Sequence, residues 1–509
     1  MKFQPYILLL LLFAFSAPLV AQKIVYSEPD KDDSRRMNFE VIGKISGNFL
    51  IHKNNRNKNF ISVYDNDMKQ VAKEELGFLD SRVINLDFIP YTDHSIMIYQ
   101  HEKRNVVYCN AVKLDGMGKK ISEIVLLDTS HIGMSSNNRI YAVVASEDKN
   151  HILLHKINSR NRSNYIVTTI LFDQNLALKD RSSLTVPMEE RNDFLKEFNV
   201  DNDGGIVFTK FSRNSSDNVS NSFLITKSPN VDTFQINDLG IEKMFLDEPQ
   251  IKIDNVNKRY FLTSFYYKQR RGNIEGFYFY VWDKQTQRPS MQNTIVLSEE
   301  LRREARGDAN MKTAFNDYFI RNIIVKRDGG FIIGSEAYYT TSRFNNWNRW
   351  DYLFGSPYMN SFDYYRLYSS PLYNSWYWRN RNSNNNSNVR HHADNVTVLS
   401  FDNTGKLEWS NVIHKEQFDD EAGDRISYVL MNTGGQLRFL FNQEEKRVQL
   451  LKDFSLDAEG EITRNPTLKN LDRGYEFLPK FGKQVSARQM IIPCFYRNYI
   501  CFAKIDYNS

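Results

Sequence analysis

Apolar and polar positions alternate in short runs along almost the whole chain, the period-two pattern of strands that bury one face. The stretch 319–325 (Phe-Ile-Arg-Asn-Ile-Ile-Val) turns at Asp328-Gly329-Gly330 and returns through 331–339. After a long aromatic and asparagine-rich excursion, 396–401 turns at Asp402-Asn403-Thr404-Gly405 into Lys406-Leu407-Glu408-Trp409. Without the excursion, four antiparallel strands remain, one sheet's worth. First-turn signals recur at Ser46-Gly47, Thr92-Asp93, Glu147-Asp148, Asp203-Gly204, Asp254-Asn255, Asp328-Gly329, Thr433-Gly434 and Gly482-Lys483, mostly about fifty residues apart, a blade-sized period. A second series marks the end of the third strand: Tyr64-Asp65, Leu114-Asp115, Phe172-Asp173, Trp282-Asp283, Phe401-Asp402 and Leu456-Asp457. Aspartate suits that place because its carboxylate accepts from backbone amides two residues on. The unit after Phe198 turns instead at Lys227-Ser228-Pro229.

Eight such units predict an all-β chain, a β-propeller of eight four-stranded blades, since radial packing protects sheet edges. The last unit shows only three clear strands, and an orphan strand, 23–27, precedes the first. The orphan is expected to close the ring as the outer strand of the final blade. The alternative is seven blades with one sheet mis-segmented. Residues 1–21 read as a signal peptide: Lys2, an apolar run from Tyr6 to Phe15, and a small-residue exit at Val20-Ala21. Residues 22–509 then form a single domain with two insertions. One, near 298–316, is helical, with Ser298 as N-cap and acids leading bases over 299–306. The other, near 340–393, is the aromatic and asparagine-rich loop. No later stretch is apolar enough to span a bilayer, and Gln22, not a cysteine, stands directly after the cleavage site, which argues against a lipoprotein. The expectation is an exported protein of the periplasm or exterior.

Composition narrows the function classes. Net charge is +5 with a pI near 8.7, spread without a concentrated basic stripe or motif, which argues against nucleic acid. The 28 tyrosines and 35 phenylalanines suit many short strands. Three cysteines cannot make a disulfide framework. Cys494 and Cys501 flank a hairpin turn at Arg497-Asn498 that sets them directly opposite one another. They are either a cross-strand disulfide or two packed thiols. Cys109, alone in a strand, reads as a small buried residue.

The turn Asp328-Gly329-Gly330 with its strand 331–333, and the run Phe401 to Trp409, resemble a repeat of exported β-propellers in Bacteroidetes. Together with Glu336-Ala337-Tyr338-Tyr339, Ile413-His414-Lys415-Glu416-Gln417 and Phe441-Asn442, the chain resembles a secreted propeller-like family of those bacteria to which no activity is assigned. The resemblance covers about a third of the chain and implies fold and compartment. It brings no catalytic residues with it.

Other motifs have plainer readings. Residues 199–204 (Asn-Val-Asp-Asn-Asp-Gly) copy the start of a calcium loop, but Lys210 stands where a bidentate carboxylate is needed, so a hairpin turn is expected. Asp402, Gly405 and Trp409 are similar to sialidase Asp-boxes and to quinoprotein tryptophan-docking repeats. The spacing is one residue off, and Trp409 reads as packing between sheets. His391-His392 have no cysteine or spaced acid nearby, so no metal and no cofactor are expected. Asp317, Glu336, His414 and Glu416 are the polar residues nearest the insertion; an acid pair there would suit glycoside chemistry, though strand-end charges are usually solvated.

Because strands alternate in direction, loops between second and third strands share a side with the connections between blades. The second-to-third loops are basic, and the opposite turns hold most of the aspartates, so one basic and one acidic face are expected. Both insertions join the basic side. Trp347, Arg349, Trp350, Tyr352, Tyr364, Tyr365, Arg366, Tyr373, Trp376, Trp378 and Arg379 of the excursion, with Arg270 and Arg271, are the candidate binding residues, since Trp, Tyr and Arg dominate recognition surfaces. The reading is an exported, non-catalytic binding or scaffold protein of the envelope that recognises a protein or an anionic polysaccharide. The alternative is a carbohydrate-active enzyme, a glycoside hydrolase or lyase, on the same scaffold.

Overall fold

The computed structural model describes residues 23–30, 37–55, 58–79, 83–132, 140–161, 163–188, 193–213, 217–241, 243–247, 249–306, 311–342, 389–420, 423–445, 448–468, 474–497 and 499–507. The strands fall into eight separate antiparallel sheets. We number them as blades in chain order: 37–75, 83–131, 141–187, 193–238, 245–296, 318–413, 428–464, and an eighth formed by 475–506 with the N-terminal strand Lys23–Tyr26. The protein is therefore an eight-bladed β-propeller, and seven blades are ruled out.

The period-two pattern explains the ring as well as the sheets. Successive side chains on a strand point to opposite faces, so each blade serves two neighbours. In blade 1, Leu50 joins the apolar seam with blade 2, whereas Phe49 and Ile51 join the seam with blade 8. Eight apolar clusters result, each filling one gap between adjacent blades. The cluster of Met37, Phe49, Leu478, Ile491 and Phe502 joins the first blade to the last and closes the circle. Closure is also made by backbone pairing: Lys23 to Tyr26 pair antiparallel with Asp506 to Ala503, as the orphan strand predicts.

Turn chemistry follows the sequence. Asp65, Asp115, Asp173 and Asp402 each accept, through one carboxylate oxygen, from the amides two and four residues on at 2.8–2.9 Å. The calcium-like loop is a hairpin turn of the same kind, with Asp201 accepting from Asp203 and Gly205. Its other oxygen takes the Tyr260 hydroxyl at 2.6 Å. Gly205 cannot carry a Cβ, which would lie 2.5 Å from that carboxylate.

Three expectations need correction. The first turn of blade 8 is at Ala487-Arg488, not at Gly482-Lys483. The inner strand there is broken into Tyr475–Phe477 and Lys483–Ser486 by a 3-10 turn, Pro479–Phe481, so Gly482-Lys483 opens its second half. The sheet of blade 6 also takes in residues 340–342 and 389–393, because its second and third strands stay paired from Phe331↔Phe401 to Ser342↔Val389. His391 and His392 are thus strand residues with acids nearby: Asp419 pairs opposite His391. The helix Glu299–Arg306 lies between blades 5 and 6, with Ser298 Oγ accepting from the Leu301 amide at 3.2 Å. Leu301 and Ala305 face the seam. Trp409 does pack between sheets, its indole donating to the Ala458 carbonyl of blade 7 at 3.1 Å, and Cys109 is fully buried.

Candidate functional site at the mouth of the channel

On the side that bears the second-to-third loops, blades 6, 7 and 8 meet around a buried polar knot. Glu336, on the second strand of blade 6, is fully buried. Its carboxylate is met by Lys415 Nζ at 2.8 Å and Arg321 Nε at 3.2 Å, and it accepts from Ser427 Oγ at 2.6 Å. Arg321 gets there because it is the extra residue of a β-bulge: Ile320 pairs with Ser335 and Asn322 with Gly334. A bulge re-aims the side chain it carries. Lys415 gets there by alternation along 414–420, where His414, Glu416, Phe418 and Asp420 are exposed and Lys415, Gln417 and Asp419 are buried.

From this centre, hydrogen bonds run outward to both neighbours. Lys415 Nζ also donates to the Ala393 carbonyl at 2.6 Å and to Gln417 Oε1 at 2.7 Å. Gln417 Nε2 donates to the Asn442 carbonyl of blade 7, and Asn442 Nδ2 donates to the Phe477 carbonyl of blade 8, at 2.6 and 2.7 Å. Arg425 meets Glu476 of blade 8 at 2.8 Å. Lys480, in the break of that blade's inner strand, is exposed beside this group.

Electrostatics fix what this centre can do. Burial alone would raise the pKa of Glu336, but Lys415 and Arg321 outweigh it and hold the carboxyl below its ordinary value. Burial likewise lowers Lys415. A glycosidase needs one carboxyl kept protonated beside a second, whereas the Glu336 carboxylate is paired with two cations, Lys415 on one oxygen and Arg321 on the other. The other acids named from the sequence are dispersed: Asp317 pairs with Arg306 at 3.3 Å, and Glu416 and His414 face solvent.

The hairpin that carries the insertion grows directly from the knot. Tyr338 Oη lies 3.0 Å from His391 Nδ1, and Tyr339 stacks on His392 with ring centroids 4.5 Å apart. Arg390 is held bidentately by Asp420 at 2.6 and 3.0 Å. Among the described residues, no group of three or more His, Cys, Asp and Glu side chains could hold a metal. The candidate binding residues Trp347, Arg349, Trp350, Tyr352, Tyr364, Tyr365, Arg366, Tyr373, Trp376, Trp378 and Arg379 lie outside the described residues. Arg270 and Arg271 are described, and both are engaged with the buried Asp217 of blade 4.

That last pairing qualifies the expected division of charge. The loop classes lie on the sides anticipated, but acids placed just inside the basic tips answer many of their cations: Lys268 meets Glu275, and Arg306 meets Asp317. On the opposite side, Lys258 and Lys284 clamp Asp203, and Lys326 bridges Asp328 and Glu408. Counting loop residues alone missed these partners. It also missed Arg321, Lys415 and Ser427; the residues 413–420 carry no hydrophobic alternation that marks Lys415, since the apolar Phe418 is exposed and Lys415 buried.

A second polar group lies elsewhere on the channel wall, on the inner strands of blades 1, 2 and 8. Burial pushes the Glu40 carboxyl up to about 7, with Asp87 adding to the rise and Lys483 opposing it. Asp87 accepts from Asn85 Nδ2 at 2.6 Å.

No family model matches the chain, and no curated protein matches it. Among solved structures it is similar to prolyl oligopeptidase B from Galerina marginata (TM-score 0.42, 9% identity, 91% of this chain and 56% of that one). It is also similar to the dihydro-heme d1 dehydrogenase NirN (TM-score 0.33, 11% identity, 92% and 72%) and to the Synechocystis apocarotenoid oxygenase (TM-score 0.33, 7% identity, 73% and 72%). The chain spans little more than half the length of the oligopeptidase. Scores this low carry no activity across.

Proposed function

We propose that the protein is an exported, non-catalytic binding scaffold of the cell envelope. Its ring holds the 343–388 insertion on a rigid hairpin, and its ligand is an envelope protein or an anionic polysaccharide. One observation carries this reading: the base of that hairpin is locked by Glu336, whose carboxylate is answered by Lys415, Arg321 and Ser427. Such a centre fixes geometry and does not transfer protons, and rigid support is what a recognition loop needs. Ser342 and Val389 are paired partners, so 343–388 can be replaced by a two-residue turn without disturbing the sheet. The shortened protein should keep its far-UV spectrum and lose binding to immobilised anionic polysaccharide and to an envelope fraction. Retention of both by the shortened ring would refute the reading.

The carbohydrate-active alternative rests on Glu40, an acid ionising near 7 beside Asp87, the range a general acid requires. Release of reducing ends from a polysaccharide panel by the wild type, abolished in Glu40→Gln, would replace the first reading with this one.

A further inference from the structure

The chain has three cysteines, and two of them meet. Cys494 lies on the second strand of blade 8, Gln489–Tyr496, and Cys501 on the third, Tyr499–Asp506; they are partners in the ladder, two pairs in from the turn-closing Tyr496↔Tyr499. Both side chains are fully buried and point to the same face, into the seam with blade 7, with Sγ atoms 2.8 Å apart. Paired strand residues have Cα atoms about 4.5–5.5 Å apart, within the span a disulfide bridges.

The position of the pair gives it a consequence. Among the described residues, the third strand of blade 8 is what the N-terminal strand Lys23–Tyr26 pairs with. The contact runs on past the four ladder pairs, with the Ser27 amide donating to the Phe502 carbonyl at 2.9 Å and the Asp30 amide to the Ile500 carbonyl at 2.8 Å. Whatever steadies residues 499–506 therefore steadies the closure.

We propose that Cys494 and Cys501 are a redox site whose disulfide latches the closing blade, formed by exchange with a protein or small-molecule disulfide. Each step balances: one cysteine thiolate attacks the oxidant's disulfide, forms a mixed disulfide and releases one thiol. The second cysteine then displaces the other, so one S–S bond forms in the protein and two thiols, carrying two electrons and two protons, form on the oxidant. Because both thiols are fully buried, and burial pushes the Cys494 thiol far up, an oxidant cannot reach them in the folded reduced ring, and exchange runs while the blade is open. Only the compartment in which this happens rests on the export reading.

The experiment uses the full chain. Denatured, reduced protein is refolded with reduced and oxidised glutathione, and free thiols are then alkylated under denaturing conditions. One alkylated thiol at Cys109, a cross-linked peptide joining 494 to 501, and a melting point about 3 °C above that of the protein refolded with dithiothreitol are expected. Amide exchange at 23–26 and 499–506 slows in the oxidised form, while blades 3–6 are unchanged. Adding the same oxidised glutathione to the protein already folded and reduced should give at least tenfold slower oxidation. Three alkylated thiols after oxidative refolding overturn the site; a bond with unchanged exchange at 23–26 overturns the latch. Cys501→Ser should leave two alkylated thiols and the faster exchange, and if that variant fails to fold, the wild-type peptide map and exchange decide. Since the buffer supplies the oxidant, none of these outcomes depends on export, which cell fractionation tests separately.

Discussion

The seam between blades 5 and 6 and the seam between blades 8 and 1 do the same structural work with different chemistry. The first is a stack of rings: Phe331 lies 4.0 Å from Phe261, 4.9 Å from Phe279 and 5.0 Å from Phe401 between centroids. The second has an apolar centre too, but its rim is tied by lysines. Lys53 Nζ reaches Asp30 at 2.6 Å and the Tyr64 hydroxyl at 2.7 Å, Lys44 Nζ reaches Gln489 at 2.9 Å, and Lys504 Nζ donates to the Asn66 carbonyl at 2.6 Å. The contrast follows from chain connectivity. Blades 5 and 6 are sequence neighbours, whereas two of the lysine bonds of the other seam, those of Lys504 and Lys44, span 438 and 445 residues. Chain ends that meet across the whole fold are joined here by long side chains, each of which can adjust to its acceptor.

The largest effect expected from this comparison is at the aromatic seam. Phe331 is 2% exposed, and Phe331→Ala should lower unfolding stability by about 4 kcal/mol in urea titration, since it removes the ring and leaves a cavity among rigid neighbours. A loss under 1 kcal/mol would mean that the stacked rings are replaceable packing. At the closing seam, the comparable test is Asp30→Asn, which keeps an acceptor oxygen near Lys53 but removes the charge that answers its buried ammonium. Breaking a buried pair is costly because the remaining charge stays desolvated, and a loss of about 3 kcal/mol is expected. Combining it with Lys53→Met should recover most of that loss, which a double-mutant cycle reads directly.

Much of this architecture was legible in the sequence because it is written in local chemistry. Aspartates that accept amides two residues on marked the turns, and alternation marked the strands, so the eight blades and the closing N-terminal strand could be read off. The eighth first turn was misplaced because Gly482 looks like a turn glycine, while the 3-10 turn that precedes it depends on how blade 8 fits its neighbours. The knot at the channel mouth was harder still. Glu336 was visible as an acid near the insertion, but Arg321 reaches it only through a bulge, and Ser427 lies 91 residues away. Long-range polar partners leave no periodic trace, and neither does the Asp217 that engages Arg270 and Arg271.

The lysine-tied side of the ring should also respond to pH where the aromatic side does not. Glu40 ionises near 7 in the fold against an ordinary 4.5, so the native state holds its proton more tightly than the unfolded chain does. Its contribution is therefore most favourable below about pH 4.5, declines as pH rises to 7, and stays unfavourable above. Glu40→Gln should match the wild type near pH 4 and exceed it at pH 8 by about 3 kcal/mol. Equal stabilities at both values would show that Lys483 compensates the buried charge fully.

The smallest effect expected is at Lys504, and it separates two reasons for having lysines at the closure. Lys504 is 2% exposed, and burial lowers its pKa against the pull of Asp506, so its ammonium has lost solvation that two bonds to Asn66, at 2.6 and 3.0 Å, and an ion pair with Asp506 at 3.6 Å only partly offset. Lys504→Met keeps the stem against its neighbours and removes the charge. If the lysines of this seam are there for strength, the variant should lose at least about 1.5 kcal/mol, the low end for hydrogen bonds with a charged donor. If they set the register in which the last blade meets the first, stability should be unchanged or higher, as when buried ions are replaced by apolar side chains of similar volume. Amide exchange at 23–26 should then quicken while the melting point holds, because the strand would pair with an edge that is no longer pinned. We expect this second outcome, since a desolvated lysine is a poor source of stability and a good ruler.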